Sequence, residues 1–194
     1  MAVALALLAA GAGRRMRGRD KLLETVEGVA LLRHLALEAL AAAPGPVAVT
    51  LRGDTPAREA ALVGLDITLL PVTDADDGMS ASLKVAAQWA QGLGIDGLMI
   101  CPADMPELTA GDFATLARGF DPMGPPLRAT ADDGTPGHPV LFPARLLPLF
   151  ASLSGDRGAQ SVLQQHPPRA IALPAKHATT DLDTPEDWAG WRNR

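Results

Sequence analysis

The chain has no tyrosine, a single cysteine, and aromatic residues at only 4% of its 194 positions. Cys101 alone cannot form an internal disulfide, which excludes a disulfide-stapled extracellular scaffold. Apolar runs stop short of the roughly 18 residues that cross a bilayer, so a membrane partner is not expected. The opening "MAVALALLAAGAG" carries no Lys or Arg before Arg14 and Arg15, whereas a secretory leader has its positive charge ahead of the apolar segment. The expectation is a buried strand at the start of a cytoplasmic protein. Basic residues are not in excess either: 17 Lys and Arg against 22 Asp and Glu leave a net charge of -5, with both signs mixed along the chain. A nucleic-acid surface needs clustered positive charge, so any phosphate chemistry must be local.

What is present is a hydrophobic fraction of 47%, enough for one well-buried domain spanning 1–194. "AVALALL" is too short for an independent helix and ends in a glycine loop, which predicts a strand buried on both faces. "GVALLRHLALEALAAA" follows, with Leu32, Leu35, Ala36 and Ala39 at helical spacing before "PGP". "VAVTL" and "ITLLP" read as strands around a helix from Pro56 to Leu62 that Thr55 could cap. In "GMSASLKVAAQWAQGLG" a serine pair opens a helix, and "GLMICP" is the next strand. Repeated βα alternation predicts a mostly parallel central sheet with helices on both faces, binding ligands at the carboxyl ends of its strands. After a helix over 109–120, the Pro- and Gly-rich stretch 121–143 holds two short strands, "LRATA" and "PVLF", predicted to extend the same sheet with an antiparallel strand. "TPEDWAGWRNR" offers Thr184 as cap and Pro185 at the first helical position.

Four loops carry the chemistry. In the first, from Leu8 to Leu23, Ala9, Ala10, Gly11 and Gly13 let backbone N–H groups approach an anion, and Arg14, Arg15 and Lys21 can neutralise a polyphosphate. Gly11, Gly13 and Gly18 fit neither the Walker pattern nor the dinucleotide spacing, and glycine with arginine also serves as an ordinary basic turn. In the second, Asp104 of "CPADMP" follows a strand where ligands bind and suits Mg²⁺, although Asp is also a common turn residue. The third presents Ser80 and Ser82, with Ser80 as the expected N-cap. The fourth, "DLDTPEDW", places Asp181 and Asp183 on one side of an extended segment, while Glu186 and Asp187 suit the following helix start.

Together "LAAGAGRRM…DK", "GMSASL", "PADMP", "GHPVLF", "GDRGA" and "DLDTPEDW" resemble the MobA-like nucleotidyltransferases, in order over nearly the whole chain, and most closely the molybdenum cofactor cytidylyltransferases. The resemblance implies an α/β, Rossmann-like nucleotidyltransferase fold that moves a nucleoside monophosphate from an NTP to a phosphorylated acceptor and releases pyrophosphate. It divides the chain into a nucleotide-binding half, 1–108, and an acceptor-side half, 109–194. It places Arg15 and Lys21 on the triphosphate, with Asp104 as the third catalytic residue, the loop from Leu8 through Arg14 around the nucleotide, and Ser82 with Ser80 on the base or ribose. Asp104 and Asp183 become the Mg²⁺ ligands, Asp183 matching better than Asp181. Gly137 and His138, with Gly155, Asp156 and Gly158, become acceptor-binding.

The family commonly has glycine where this chain has Arg17, which bears on the shape of that loop. "LAAG" resembles the cytidylyl branch and "LAGG" the guanylyl branch, so Ala10 points to CTP, with molybdopterin as acceptor and a molybdenum oxidoreductase receiving the product. The alternatives are guanylyl transfer, transfer to another phosphorylated small molecule, and a non-catalytic cofactor-binding chaperone. A nicotinamide-dependent oxidoreductase lacks its glycine fingerprint.

Overall fold

The computed structural model describes residues 2–11, 13, 16–42 and 45–193. In chain order its strands and α-helices are β1 (Val3–Leu8), β2 (Thr25–Val26), β3 (Val29–Ala30), α1 (Leu31–Ala42), β4 (Val47–Arg52), α2 (Pro56–Ala61), β5 (Thr68–Val72), α3 (Met79–Gly92), β6 (Gly97–Pro102), α4 (Ala110–Arg118), β7 (Leu127–Thr130), β8 (Pro136–Pro143), α5 (Gln160–Gln165), β9 (Arg169–Ala172) and α6 (Pro185–Arg192). Seven strands form one sheet in the order β5-β4-β1-β6-β8-β7-β9, and β2 pairs with β3 in a small hairpin. Only the pairings of β8 with β6 and β7 are antiparallel; the others in this sheet are parallel. The Pro- and Gly-rich stretch thus adds β7 and β8 to the same sheet, as its short apolar segments predict. No helix among the described residues is long and apolar enough to cross a membrane.

Side-chain alternation explains the layers. Val3, Leu5 and Leu7 of β1 share a buried cluster with Leu31, Leu32 and Leu35 of α1 and Phe113 and Leu116 of α4. Ala4 and Ala6 point the other way, into a cluster with Leu83, Ala86, Ala87 and Ala90 of α3. Alanine on both surfaces lets α3 approach the sheet closely, while the leucine-rich face contributes about 2 kcal/mol for each leucine side chain removed from water. In the second cluster Phe142 of β8 meets Phe150 edge-on, with ring centroids 5.1 Å apart.

Two expected caps form differently. Thr55 precedes α2, but its hydroxyl donates to the Arg52 carbonyl at 2.8 Å instead of accepting from the helix. Ser80 is not the cap of α3. That position belongs to Gly78, whose φ of 86° a side chain would strain, and the helix has already begun when the chain reaches Ser80. The Ser80 hydroxyl donates to the Asp77 carbonyl at 3.3 Å. Thr184 does cap α6, accepting from Asp187 N–H at 3.1 Å, while the Asp187 carboxylate accepts from Thr184 N–H at 2.8 Å.

Candidate active site

The strand order reverses between β1 and β6, and the loops leaving the two strands part there. An open α/β sheet takes its ligands at such a point. A cleft of about 810 Å³ lies there, lined by residues of the β1 loop, the ends of β4 and β6, the turn before α3, the β7–β8 region and the segment 178–183.

Lys21 holds the centre. Its Nζ donates to Asp104 Oδ2 and to Asp183 Oδ1, each at 2.5 Å, bridging residues far apart in the chain. Burial opposes the ammonium charge, but these two carboxylates outweigh it and raise the Lys21 pKa above its ordinary value. The same crowding acts in reverse on Asp181, which also lines the cleft. Burial raises its pKa first, and the charges of Asp104 and Asp183 add to the rise.

Each group is positioned from outside the cleft. The Asp104 carbonyl accepts from Leu182 N–H at 3.2 Å, tying the end of β6 to the segment that carries Asp183. Asp183 directly precedes the Thr184 cap, and α6 is anchored by the buried Trp188 and by Trp191 Nε1, which donates to Glu107 at 3.1 Å. Glu107 also accepts from the Thr180 hydroxyl at 2.8 Å, so one carboxylate braces both ends of this segment.

Lys21 is set by a clamp that the sequence did not disclose. Asp20 accepts from Leu22 N–H at 3.0 Å and so starts the short 3-10 turn Lys21–Leu23. The same carboxylate receives Arg58 Nε at 2.6 Å and Nη2 at 3.1 Å, a two-pronged pair. Arg58, only 3% exposed on α2, donates through Nη1 to the carbonyls of Ala9 at 2.5 Å and Gly11 at 2.9 Å. One guanidinium thereby fixes both the glycine loop and the turn that aims Lys21. Nothing local marks it, since "PAREAALVG" reads as an ordinary helix and Asp20 lies 38 residues away.

The cleft gathers most of the expected residues. From the first loop it takes Leu8, Ala9, Ala10, Gly11, Gly13 and Lys21, and from the other motifs Ser82, Asp104, Asp183, Gly137, His138 and Asp156. Arg14 and Arg15 lie outside the described residues. Ser80 and Gly155 instead line a neighbouring recess of about 610 Å³. Gly158 packs on α3: a Cβ there would come 3.0 Å from Met79 Sδ, and its φ is 55°. The motif "GDRGA" sits against the start of α3, where a Cβ on Gly78 would come 2.1 Å from Asp156 Oδ1. Arg17 takes the left-handed φ of 52°, which costs a non-glycine residue about 1–2 kcal/mol, and its guanidinium is held by Glu186 at 2.7 Å.

"GHP" owes its glycine to a close approach. His138 N–H donates to the Ala178 carbonyl at 2.8 Å, and a Cβ on Gly137 would lie 1.8 Å from that oxygen. Because backbone opposes backbone there, Gly137→Ala is expected to destabilise the protein by about 2 kcal/mol, seen as a lower urea midpoint at unchanged m-value.

His138 has its pKa lowered from 6.5 to about 4, first by burial and then by the charge of Arg128, against a weaker opposing effect of Asp104. Its ring is therefore neutral at pH 7. The unfolded chain takes up a proton near pH 6.5 that the folded protein refuses until about pH 4. This contribution to stability is complete above the higher value and is lost as the pH falls between the two, by about 3 kcal/mol in all. Urea unfolding across that range should show the loss in the wild type and a shallower loss in His138→Gln.

No group of three or more His, Cys, Asp or Glu that could hold a metal ion occurs among the described residues. Two carboxylates that share one cation are nevertheless the donor set that Mg²⁺ takes when substrate phosphates supply further oxygens. The residues present fit that ion.

A family model described as MobA-like NTP transferase domain matches residues 5–170. The molybdenum cofactor guanylyltransferase of Cereibacter sphaeroides is 30% identical over 187 residues, covering 94% of this chain and 92% of that protein. The molybdenum cofactor guanylyltransferase of Rhodobacter capsulatus is 36% identical over 110 residues, 56% of this chain and 54% of that protein. The crystal structure of Rv0371c from Mycobacterium tuberculosis superposes with a TM-score of 0.85 at 25% identity, covering 100% of this chain and 98% of that one.

Proposed function

The chain belongs to the MobA-like NTP transferase family and is a nucleotidyltransferase; on that premise we propose that it transfers a guanylyl group from GTP to the phosphate of a molybdopterin-type acceptor. The observation that carries the reading is the bridge from Lys21 to Asp104 and Asp183, set in a cleft at the carboxyl ends of β1 and β6. On this reading 1–108 holds the nucleotide, 109–194 presents the acceptor, and the product passes to a molybdenum oxidoreductase.

An oxygen of the acceptor phosphate attacks the α-phosphorus, a new phosphoanhydride bond forms, and pyrophosphate leaves with the electron pair of the bond that breaks. Nucleophile and electrophile are both anions, so neutralisation and in-line positioning matter more than a strong base. Asp104 and Asp183 would hold Mg²⁺, which when bound supplies positive charge to the reacting phosphates. Lys21, whose turn is tied to the glycine loop through Asp20 and Arg58, is assigned to the departing pyrophosphate, and Arg15 is assigned beside it by the family resemblance alone. The small-residue loop that follows β1 is assigned to the triphosphate, and Arg58 holds that loop through the carbonyls of Ala9 and Gly11. Ser82, which lines the cleft, is assigned to the base or ribose by the family resemblance.

GTP is favoured over CTP by the guanylyltransferases named above. Ala10, whose methyl pointed to CTP, is only 2% exposed and packs with Val72 and Ala81, so it takes little room from a purine. The cytidylyl reading retains "LAAG" in its favour. Competition of GTP and CTP in one reaction, with the products separated by mass, decides between them; a guanine product in excess is expected, and a cytosine product in excess restores CTP.

A further inference from the structure

We infer that Arg128 forms the subsite for the acceptor's phosphomonoester; this rests on the transferase reading above. Three cationic side chains line the cleft among the described residues: Lys21, Arg52 and Arg128. Lys21 bridges Asp104 and Asp183 and is assigned to the leaving pyrophosphate, and Arg52 is paired with Asp54 at 3.0 Å and Asp76 at 3.1 Å. Arg128 makes no ion pair with a described residue. Its Nε donates to the Gly137 carbonyl at 3.1 Å, which fixes the guanidinium plane on β7 and leaves the Nη donors for a ligand. A half-buried guanidinium of fixed orientation is suited to two-pronged phosphate binding.

Its place matches the reaction's geometry. In-line displacement brings the nucleophile to the α-phosphorus from the side opposite the departing pyrophosphate. The glycine loop and Lys21 take the leaving side, so the acceptor phosphate arrives from the side of β7 and β8. There Arg128 is accompanied by Thr135, His138 and Thr179 on the cleft wall. The Nδ1 of His138 is buried with no partner among the described residues, and its ring is uncharged, so Arg128 is the fixed positive charge of this wall. The phosphate that Arg128 holds is the one whose oxygen bonds to the α-phosphorus while pyrophosphate departs.

The test is calorimetric binding of molybdopterin, its dephosphorylated form, inorganic phosphate and GTP to the wild type, Arg128→Lys and Arg128→Met. The wild type should bind the phosphorylated form about tenfold or more tighter than the dephosphorylated one. That preference should collapse in Arg128→Met and recover in part in Arg128→Lys, with GTP affinity unchanged in all three. Preference retained by Arg128→Met, or absent from the wild type, overturns the inference. If inorganic phosphate binds through Arg128 and molybdopterin does not bind, the subsite stands and the proposed acceptor is wrong.

Discussion

Asp104→Asn should lower turnover by about two to three orders of magnitude while leaving the urea midpoint close to that of the wild type. Asparagine keeps the size of the side chain and an oxygen to accept from Lys21 Nζ, and Lys21 retains Asp183 as its charged partner. What disappears is one of the two negative charges that would hold Mg²⁺, a hard cation that binds carboxylate far better than amide oxygen. The loss should therefore fall on the chemical step, with an increased Mg²⁺ concentration needed for half-maximal rate. Pyrophosphate release measured against Mg²⁺ concentration reads both effects. Turnover within about threefold of wild type would remove Asp104 from the reaction.

Arg58→Met should cost about 3 kcal/mol of stability and weaken nucleotide binding as well. Methionine fills much of the same volume but leaves the Asp20 carboxylate without its partner and the carbonyls of Ala9 and Gly11 without donors. Removing one member of a buried pair costs about 3–5 kcal/mol, because the remaining charge stays desolvated. Asp20 is 25% exposed at its side chain, which places the expectation at the low end. Adding Asp20→Asn should recover part of the loss, since the uncompensated charge then goes, although Leu22 N–H keeps an acceptor. Urea unfolding of the two single variants and the double variant measures the coupling. Additive losses would show that Arg58 and Asp20 do not act as a unit.

The legible parts of the molecule are those whose causes are local. The two-faced burial of β1 was readable because "AVALALL" is apolar at every position of a short run. The start of α6 was readable because Thr184 and Asp187 satisfy each other across three residues. Asp104 and Asp183 were individually visible in short motifs. Their meeting on Lys21 spans 83 and 162 residues and came only from the resemblance of the whole set.

Failures have the same origin. Thr55 and Ser80 have the residue type of a cap, but Thr55 turns its hydroxyl to the Arg52 carbonyl, and α3 starts from Gly78, where Asp156, nearly eighty residues onward, leaves no room for a side chain. Arg58 and Arg128 carry no motif, and each becomes informative only when the fold delivers its partner. The edge strand β9 was missed because "RAIA" is short and largely exposed, with little apolar pattern to distinguish it from a loop.

The measurement that tests the account most directly is the reaction of the purified protein with GTP, Mg²⁺ and molybdenum-loaded molybdopterin, following pyrophosphate and the mass of the product together. The account predicts one pyrophosphate for each molybdopterin dinucleotide formed, and no release when acceptor or Mg²⁺ is omitted. Folded protein that binds GTP and intact acceptor yet forms neither product would contradict it.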